Sequence, residues 1–232
     1  MDAVHLPDEN KNELYPVFLV LKNFELLIVG GGNVALEKLH SILSNSRNAN
    51  ITLVAPLIKQ EIRNLLSTNP EIKLIERKFS PDDLMNKSLI ICATDDKELH
   101  KTIKMLCMAK HQLVNVADTP ELCDFYLASI VQKGNLKIAI STNGLSPTGA
   151  KRIKESLNDA LPDSIDKILK DLNLIRNNLK DDFAYKIKKM NEVTALMGLS
   201  HQEIKKKKRF QLLVFLFLIL LSLLLGYIIG TN

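Results

Sequence analysis

Cysteine is scarce and unpatterned in this chain of 232 residues. Cys92, Cys107 and Cys123 are an odd number without C-x-x-C spacing, which argues against a disulfide framework and against a structural zinc site. The histidines, His5, His40, His100, His111 and His201, are scattered without H-x-x-x-H or Cys/His spacing, so no metal cofactor is expected. No apolar segment opens the chain. Met1 to Asn12 is polar and acidic, unlike a signal peptide, and a reducing cytosol is the default compartment. Distributed positive charge is also missing. The formal charge of +5 is matched by Lys205-Lys206-Lys207-Lys208-Arg209 alone, and the remainder is about neutral, so nucleic acid is not expected as a partner.

What is present is enough apolar material, 46% of residues against 25% charged, for one good core and a small second one. The chain is organised around Leu26-Leu27-Ile28-Val29-Gly30-Gly31-Gly32-Asn33-Val34-Ala35. A β-type apolar run stops at three glycines and gives way to a helical pattern through Val34, Leu36, Leu39 and Ile42. Gly30, Gly32 and Ala35 fit G-x-G-x-x-G/A. The first glycine makes the turn, the second admits a pyrophosphate to the backbone, and the small third residue lets helix pack on strand. The anion would sit on unpaired N–H groups at the positive end of the helix dipole. Gly30, Gly31, Gly32, Asn33 and Val34 are therefore candidate cofactor-binding residues.

Tyr15 to Leu21 reads as a strand before the fingerprint. Ile51 to Val54 reads as the second parallel strand, after which the cofactor ribose would be gripped near Pro56 and Leu57. The expected acid is absent from Val54-Ala55-Pro56-Leu57, and Lys59 is close, so NAD and NADP are not separated by this rule. A helix over Leu57–Leu66 leads to a strand at Ile72–Ile75, and Ser88 to Asp95 makes a fourth strand. Thr94 and Asp95 fall at its carboxyl end, where ligands bind in open α/β sheets. Asp95 alternatively caps the helix from Lys97 to Ala109. A fifth strand, Leu113–Val116, is followed by Ala117-Asp118-Thr119-Pro120.

Phe125–Val131 and Leu136–Ser141 then read as a hairpin, and a two-stranded hairpin is marginal alone. It needs a partner sheet, most simply from a second copy of the chain, so a homodimer is expected. Ser146 and Pro147 read as N-cap and first residue of a helix, and helices are expected to Leu161, from Asp163 to Asn178 and from Asp182 to Leu199. Leu212 to Ile229 carries no charge and is at the lower end of what crosses a hydrocarbon core of about 30 Å. With the basic run before it, this reads as a single-pass C-terminal membrane anchor with the preceding domain in the cytoplasm.

Several of these stretches in one order carry a resemblance. The Gly30-Gly31-Gly32-Asn33-Val34-Ala35 opening, Cys92-Ala93-Thr94-Asp95-Asp96, Asn115-Val116-Ala117-Asp118, Cys123-Asp124-Phe125-Tyr126 and Ser141-Thr142-Asn143-Gly144-Leu145-Ser146-Pro147 together resemble precorrin-2 dehydrogenase. This is the dehydrogenase, and in some members ferrochelatase, module of siroheme synthase, and the likeness covers roughly residues 14–195. It implies NAD-dependent oxidation of precorrin-2 to sirohydrochlorin. The catalytic aspartate of the family's N-V-x-D segment falls on Asp118, where a carboxylate can take the proton left by hydride removal. Read without the family, Asp118 is a turn residue.

The family's substrate-side loop falls on residues 141–144. Thr142 and Asn143 depart from the commoner Ser-Ser-Gly-Gly form, and with Lys151 and Arg152 they suit a substrate ringed with carboxylates. The same Lys151 and Arg152 also read as a solvated helix face.

The expected fold is thus α/β: a Rossmann-like NAD-binding domain over 1–118, a β-hairpin dimerisation region over 119–146, a helical domain over 147–204, and a basic run with a transmembrane helix over 205–232. Two alternatives stand beside a dehydrogenase. One is a bifunctional dehydrogenase and sirohydrochlorin ferrochelatase. The other is a non-catalytic membrane-tethered dinucleotide sensor.

Overall fold

Residues that are apolar at every position of a short run make a strand buried on both faces, and the first strand shows why. In the computed structural model, which describes residues 12, 14–179 and 183–194, β1 (Glu25–Val29) sends Leu26 and Ile28 to one side and Leu27 and Val29 to the other. Leu27 and Ile28 are fully buried. Four more strands join it: β2 (Asn50–Val54), β3 (Lys73–Ile75), β4 (Leu89–Cys92) and β5 (Leu113–Val116). All pair in parallel, in the order β3-β2-β1-β4-β5.

Helices α1 (Asn33–Asn45) and α2 (Gln60–Ser67) cover one face, with Leu39, Ile42 and Ile62 packed on Leu26, Ile28, Ile51 and Leu53. Helix α3 (Lys97–Ala109) covers the other, with Ile103 and Cys107 on Leu27, Ile90 and Val114. Emptying one of these positions, for example Leu27→Ala, would cost about 2–5 kcal/mol.

Beyond the sheet, β6 (Ser129–Lys133) and β7 (Leu136–Ile140) form an antiparallel pair turning at Gly134, whose φ is +58°. Helix α4 (Pro147–Ala160) packs across both strands, with Ala150 and Val131 buried. The hairpin therefore has cover from its own chain, and Lys137 Nζ ties it to α1 by donating to the carbonyl of Asn45. Contacts divide the chain into two compact units, Met1–Pro162 and Asp163–Asn232. The second contains α5 (Ile165–Asn178) and α6 (Phe183–Thr194).

Two expectations are corrected here. Tyr15 to Leu21 is not a strand: the segment runs as exposed irregular chain into a short 3-10 turn at Leu21–Asn23, with Tyr15, Val17 and Phe18 uncovered. Apolar composition suggested a strand, but no sheet edge reaches it. The transmembrane helix is the second correction. Among the described residues no helix is long and apolar enough to cross a membrane. Residues 205–232 lie outside the described residues, so the structure gives the spanning helix, and the membrane localisation drawn from it, no support. The expectation rested on the uncharged run Leu212–Ile229 and the basic residues before it, all outside the described residues.

Candidate dinucleotide site

Parallel register brings the candidate residues to one edge. Val29 is level with Val54 and with Cys92, and Cys92 with Val116. The next residues continue the ladder, as Gly30 N–H donates to Val54 (2.9 Å), Ala93 N–H to Val29 (2.8 Å) and Ala117 N–H to Cys92 (3.0 Å). One position further on, Pro56, Gly31, Thr94 and Asp118 follow the ends of β2, β1, β4 and β5. This carboxyl edge, at the point where strand order reverses between β1 and β4, is where open α/β sheets bind their ligands.

Each glycine of the turn has its own reason. Gly30 has φ +132°, and a β-carbon there would fall 2.2 Å from the carbonyl oxygen of Ala93. Gly31 lies beneath the loop after β2, where a β-carbon would meet the Leu57 carbonyl at 2.1 Å. Gly32 has nothing within 4 Å of such an atom. It is also the N-cap of α1, with no side chain bonded to the helix end. The first-turn N–H groups of α1 thus have no side-chain cap, the arrangement an anion such as a pyrophosphate fits. Ala35, fully buried, seats the helix on the sheet.

Pro56 and Leu57 are both exposed, in the loop that closes over Gly31 through a bond from Lys59 N–H to the Gly31 carbonyl (2.9 Å). Lys59 Nζ also reaches Asn33 Oδ1 at 2.7 Å and Glu61 at 2.9 Å, joining the β2 loop to the first residue of α1. Val34 is half-buried against the core.

Asp95 does not cap α3. The cap is Asp96, whose Oδ1 accepts from Leu99 N–H at 2.9 Å, and Asp95 is exposed. The spacing to the helix decides this, since the capping oxygen must reach an N–H three residues on. Thr94 Oγ1 lies 2.9 Å from Nε2 of His100, a residue that sequence reasoning passed over as one histidine among scattered ones. Burial pushes the His100 imidazole's pKa down, and the nearby Asp96 and Asp95 only partly oppose it.

Asp118 is exposed and sits in the left-handed region at φ +54°, a conformation Asp tolerates better than most residues. Its turn is held from beneath. Asp124 and Val114 exchange two bonds, Asp124 N–H to the Val114 carbonyl (2.8 Å) and Val114 N–H to the Asp124 carboxylate (3.0 Å), and Lys104 pairs with the same carboxylate. Buried Asn115 donates to the Phe125 carbonyl at 2.8 Å, while the Cys123 thiol meets the backbone of Val116. Asn115, Cys123 and Asp124 thus serve to fix the turn that presents Asp118.

All three cysteines are free thiols. Burial pushes Cys92 up to about 12 and Cys107 up to about 11, so both behave as apolar core.

The substrate-side candidates lie in the loop after β7 and on α4. Thr142 Oγ1 donates to the Ser146 carbonyl and accepts from Ser146 N–H. Asn143 turns the loop at φ +54°. Lys151 and Arg152 are exposed on α4, where Arg152 pairs with Glu155 at 3.1 Å. No group of three or more metal-ligating side chains occurs among the described residues.

A glycine turn between parallel strands, an uncapped helix N-terminus and polar residues at the carboxyl edge define a dinucleotide-binding protein of the Rossmann class. Comparison with known proteins agrees. Residues 17–129 match a family model described as putative NAD(P)-binding, and residues 133–160 match one described as sirohaem biosynthesis protein central. The siroheme synthase of Nitrosomonas europaea is 32% identical over 170 residues, 73% of this chain and 35% of that protein. That of Psychrobacter arcticus is 38% identical over 166 residues, 72% of this chain and 30% of that protein. The chain therefore spans about a third of the length of these curated relatives. Among solved structures, SirC, precorrin-2 dehydrogenase, aligns over 85% of this chain and 98% of its own, with a TM-score of 0.64 and 29% identity. Residues 17–129 and 133–160 thus match, in order, an NAD(P)-binding model and a sirohaem biosynthesis central model, and over this part the chain is similar to siroheme synthases.

Proposed function

We propose that this protein is an NAD-dependent precorrin-2 dehydrogenase, forming sirohydrochlorin in siroheme biosynthesis. The observation that carries the reading is the match to SirC, precorrin-2 dehydrogenase, over nearly the whole of that chain, joined to a glycine turn with an uncapped helix N-terminus. NAD, held by Gly30–Val34 and the loop at Pro56 and Leu57, would supply the hydride acceptor. Asp118, raised on its turn at the same edge, takes the proton that leaves when a C–H hydride is removed and a ring double bond forms. Thr142, Asn143, Lys151 and Arg152 are the proposed contacts for the carboxylates of the substrate. In this assignment residues 1–118 hold the cofactor, 119–146 form a dimer contact and 147–204 a helical domain.

Mixing the purified full chain with precorrin-2 and NAD should give reduced nicotinamide in equal amount to sirohydrochlorin. Failure to reduce NAD with authentic substrate would overturn the assignment. A homodimer is part of the proposal, supported by the unpaired edges of the two-stranded β6–β7 sheet among the described residues and by the uncovered Tyr15, Val17 and Phe18. Sedimentation of the full chain as a clean monomer at micromolar concentration would refute it.

A further inference from the structure

Thr94 and His100 form a pair whose proton positions follow from what surrounds them. The His100 side chain is buried, at 3% exposure, and its Nδ1 has no hydrogen-bond partner. Nε2 lies 2.9 Å from Thr94 Oγ1, and the same oxygen accepts from Asp96 N–H at 3.3 Å. Two tautomers are possible for the neutral ring. If the proton were on Nδ1, a buried N–H would be left unpaired, which native structures avoid more strictly than an unpaired acceptor. With the proton on Nε2, His100 donates to Thr94 and only a lone pair is left without a partner. Thr94 Oγ1 then accepts twice, from His100 and from Asp96, and both its lone pairs are engaged. Its own O–H has to donate elsewhere.

The place it can donate to is set by the sheet. Thr94 follows Ala93, the residue against which Gly30 is packed, and so stands beside the glycine turn on the β4 side of the strand-order reversal. In a fold of this kind the adenosine ribose is gripped at the end of the second strand, which leaves the other half of the dinucleotide over the β4 side. We propose that His100 is a positioning residue that locks Thr94 as a hydrogen-bond donor to the nicotinamide half of the bound dinucleotide. The proposal rests on the function put forward above, because it needs a dinucleotide in that crevice.

Three measurements on the full chain test it. Nitrogen NMR of the imidazole should show His100 as the neutral Nε2–H tautomer; the Nδ1–H form would overturn the proposal. Thr94→Val should bind NAD roughly threefold to tenfold more weakly, the range a single neutral hydrogen bond gives, while Thr94→Ser, which keeps the hydroxyl, binds as the parent does. Binding of adenosine monophosphate should be unchanged in both, since it occupies only the adenosine half. His100→Leu should lose NAD affinity as Thr94→Val does, and His100→Gln, whose amide keeps an N–H near the position of Nε2, should restore it. Where His100→Leu fails to fold, the Thr94 variants and the tautomer decide. Equal NAD affinity of Thr94→Val and the parent would overturn this inference alone. A parent chain that binds no NAD would overturn the proposed function and this inference together.

Discussion

Gly30 lies with its α-carbon against the main-chain carbonyl of Ala93, so close that a β-carbon would stand 2.2 Å from the oxygen. This contact is where β1 turns into α1 alongside the end of β4, and it cannot relax by moving a side chain. A non-glycine residue at φ +132° costs about 1–3 kcal/mol for the conformation alone, and the backbone clash adds to it. Gly30→Ala should therefore be strongly destabilised in denaturant melts, with loss of NAD binding as a consequence of misfolding. Unfolding at the parent's midpoint would show that the turn can rearrange.

Gly32→Asp should separate fold from binding. Its φ of −96° and open surroundings accept a side chain, and aspartate is a good N-cap, so stability should stay within a few tenths of a kcal/mol. The new charge, however, occupies the space for the pyrophosphate. Like charges at close range cost several kcal/mol, more than a hundredfold in affinity. Calorimetry with NAD decides; native affinity would place the cofactor elsewhere.

Asp118→Asn should abolish dehydrogenation and leave NAD binding intact. Asparagine accepts the left-handed φ of +54° as aspartate does, so the turn should survive. What is lost is the charge and the ability to take a proton, for which contributions run typically to about 10²–10⁴-fold. Single-turnover absorbance at saturating NAD measures this, and equal rates would reduce Asp118 to a turn residue.

Asp83 gives the fold a defined acid sensitivity. Its carboxylate is buried, bonded to both arms of Arg77 at 2.7 and 2.8 Å and to Ser80 N–H at 2.8 Å. The Arg77 guanidinium first, and the Ser80 amide after it, hold its carboxyl below the usual range, against the opposing effect of burial. A lowered carboxylate contributes stability that is complete above its unfolded value near pH 4 and is lost as pH falls through the folded value. Asp83→Asn should cost about 1.5 kcal/mol at neutral pH, the low end for charged hydrogen bonds because Arg77 is half exposed. The difference from the parent should shrink in urea melts carried below about pH 4. A constant difference at all pH values would show that the charge plays no part.

How much of this was legible beforehand follows from the range of each interaction. Short apolar runs stopped by glycine or polar residues name the buried parallel strands, because a strand covered on both faces must be apolar at each position. The residues that open α1, the span of α3 and the strand β5 fall where the pattern puts them. The resemblance to precorrin-2 dehydrogenase was legible too, since several motifs in one order are specific where each alone is not.

Tertiary structure decided what depends on neighbours distant in sequence. Sheet order and register are set by packing, and they bring Gly31, Pro56, Thr94 and Asp118 level at one edge. Gly31 is required by a loop that arrives more than twenty positions later, and His100 matters through the hydroxyl it meets. Tyr15–Leu21 had the composition of a strand and found no edge to pair with. Local sequence determines which faces must be buried and where backbone can turn; which residues then share a site is settled by long-range packing, whose partners no local window contains.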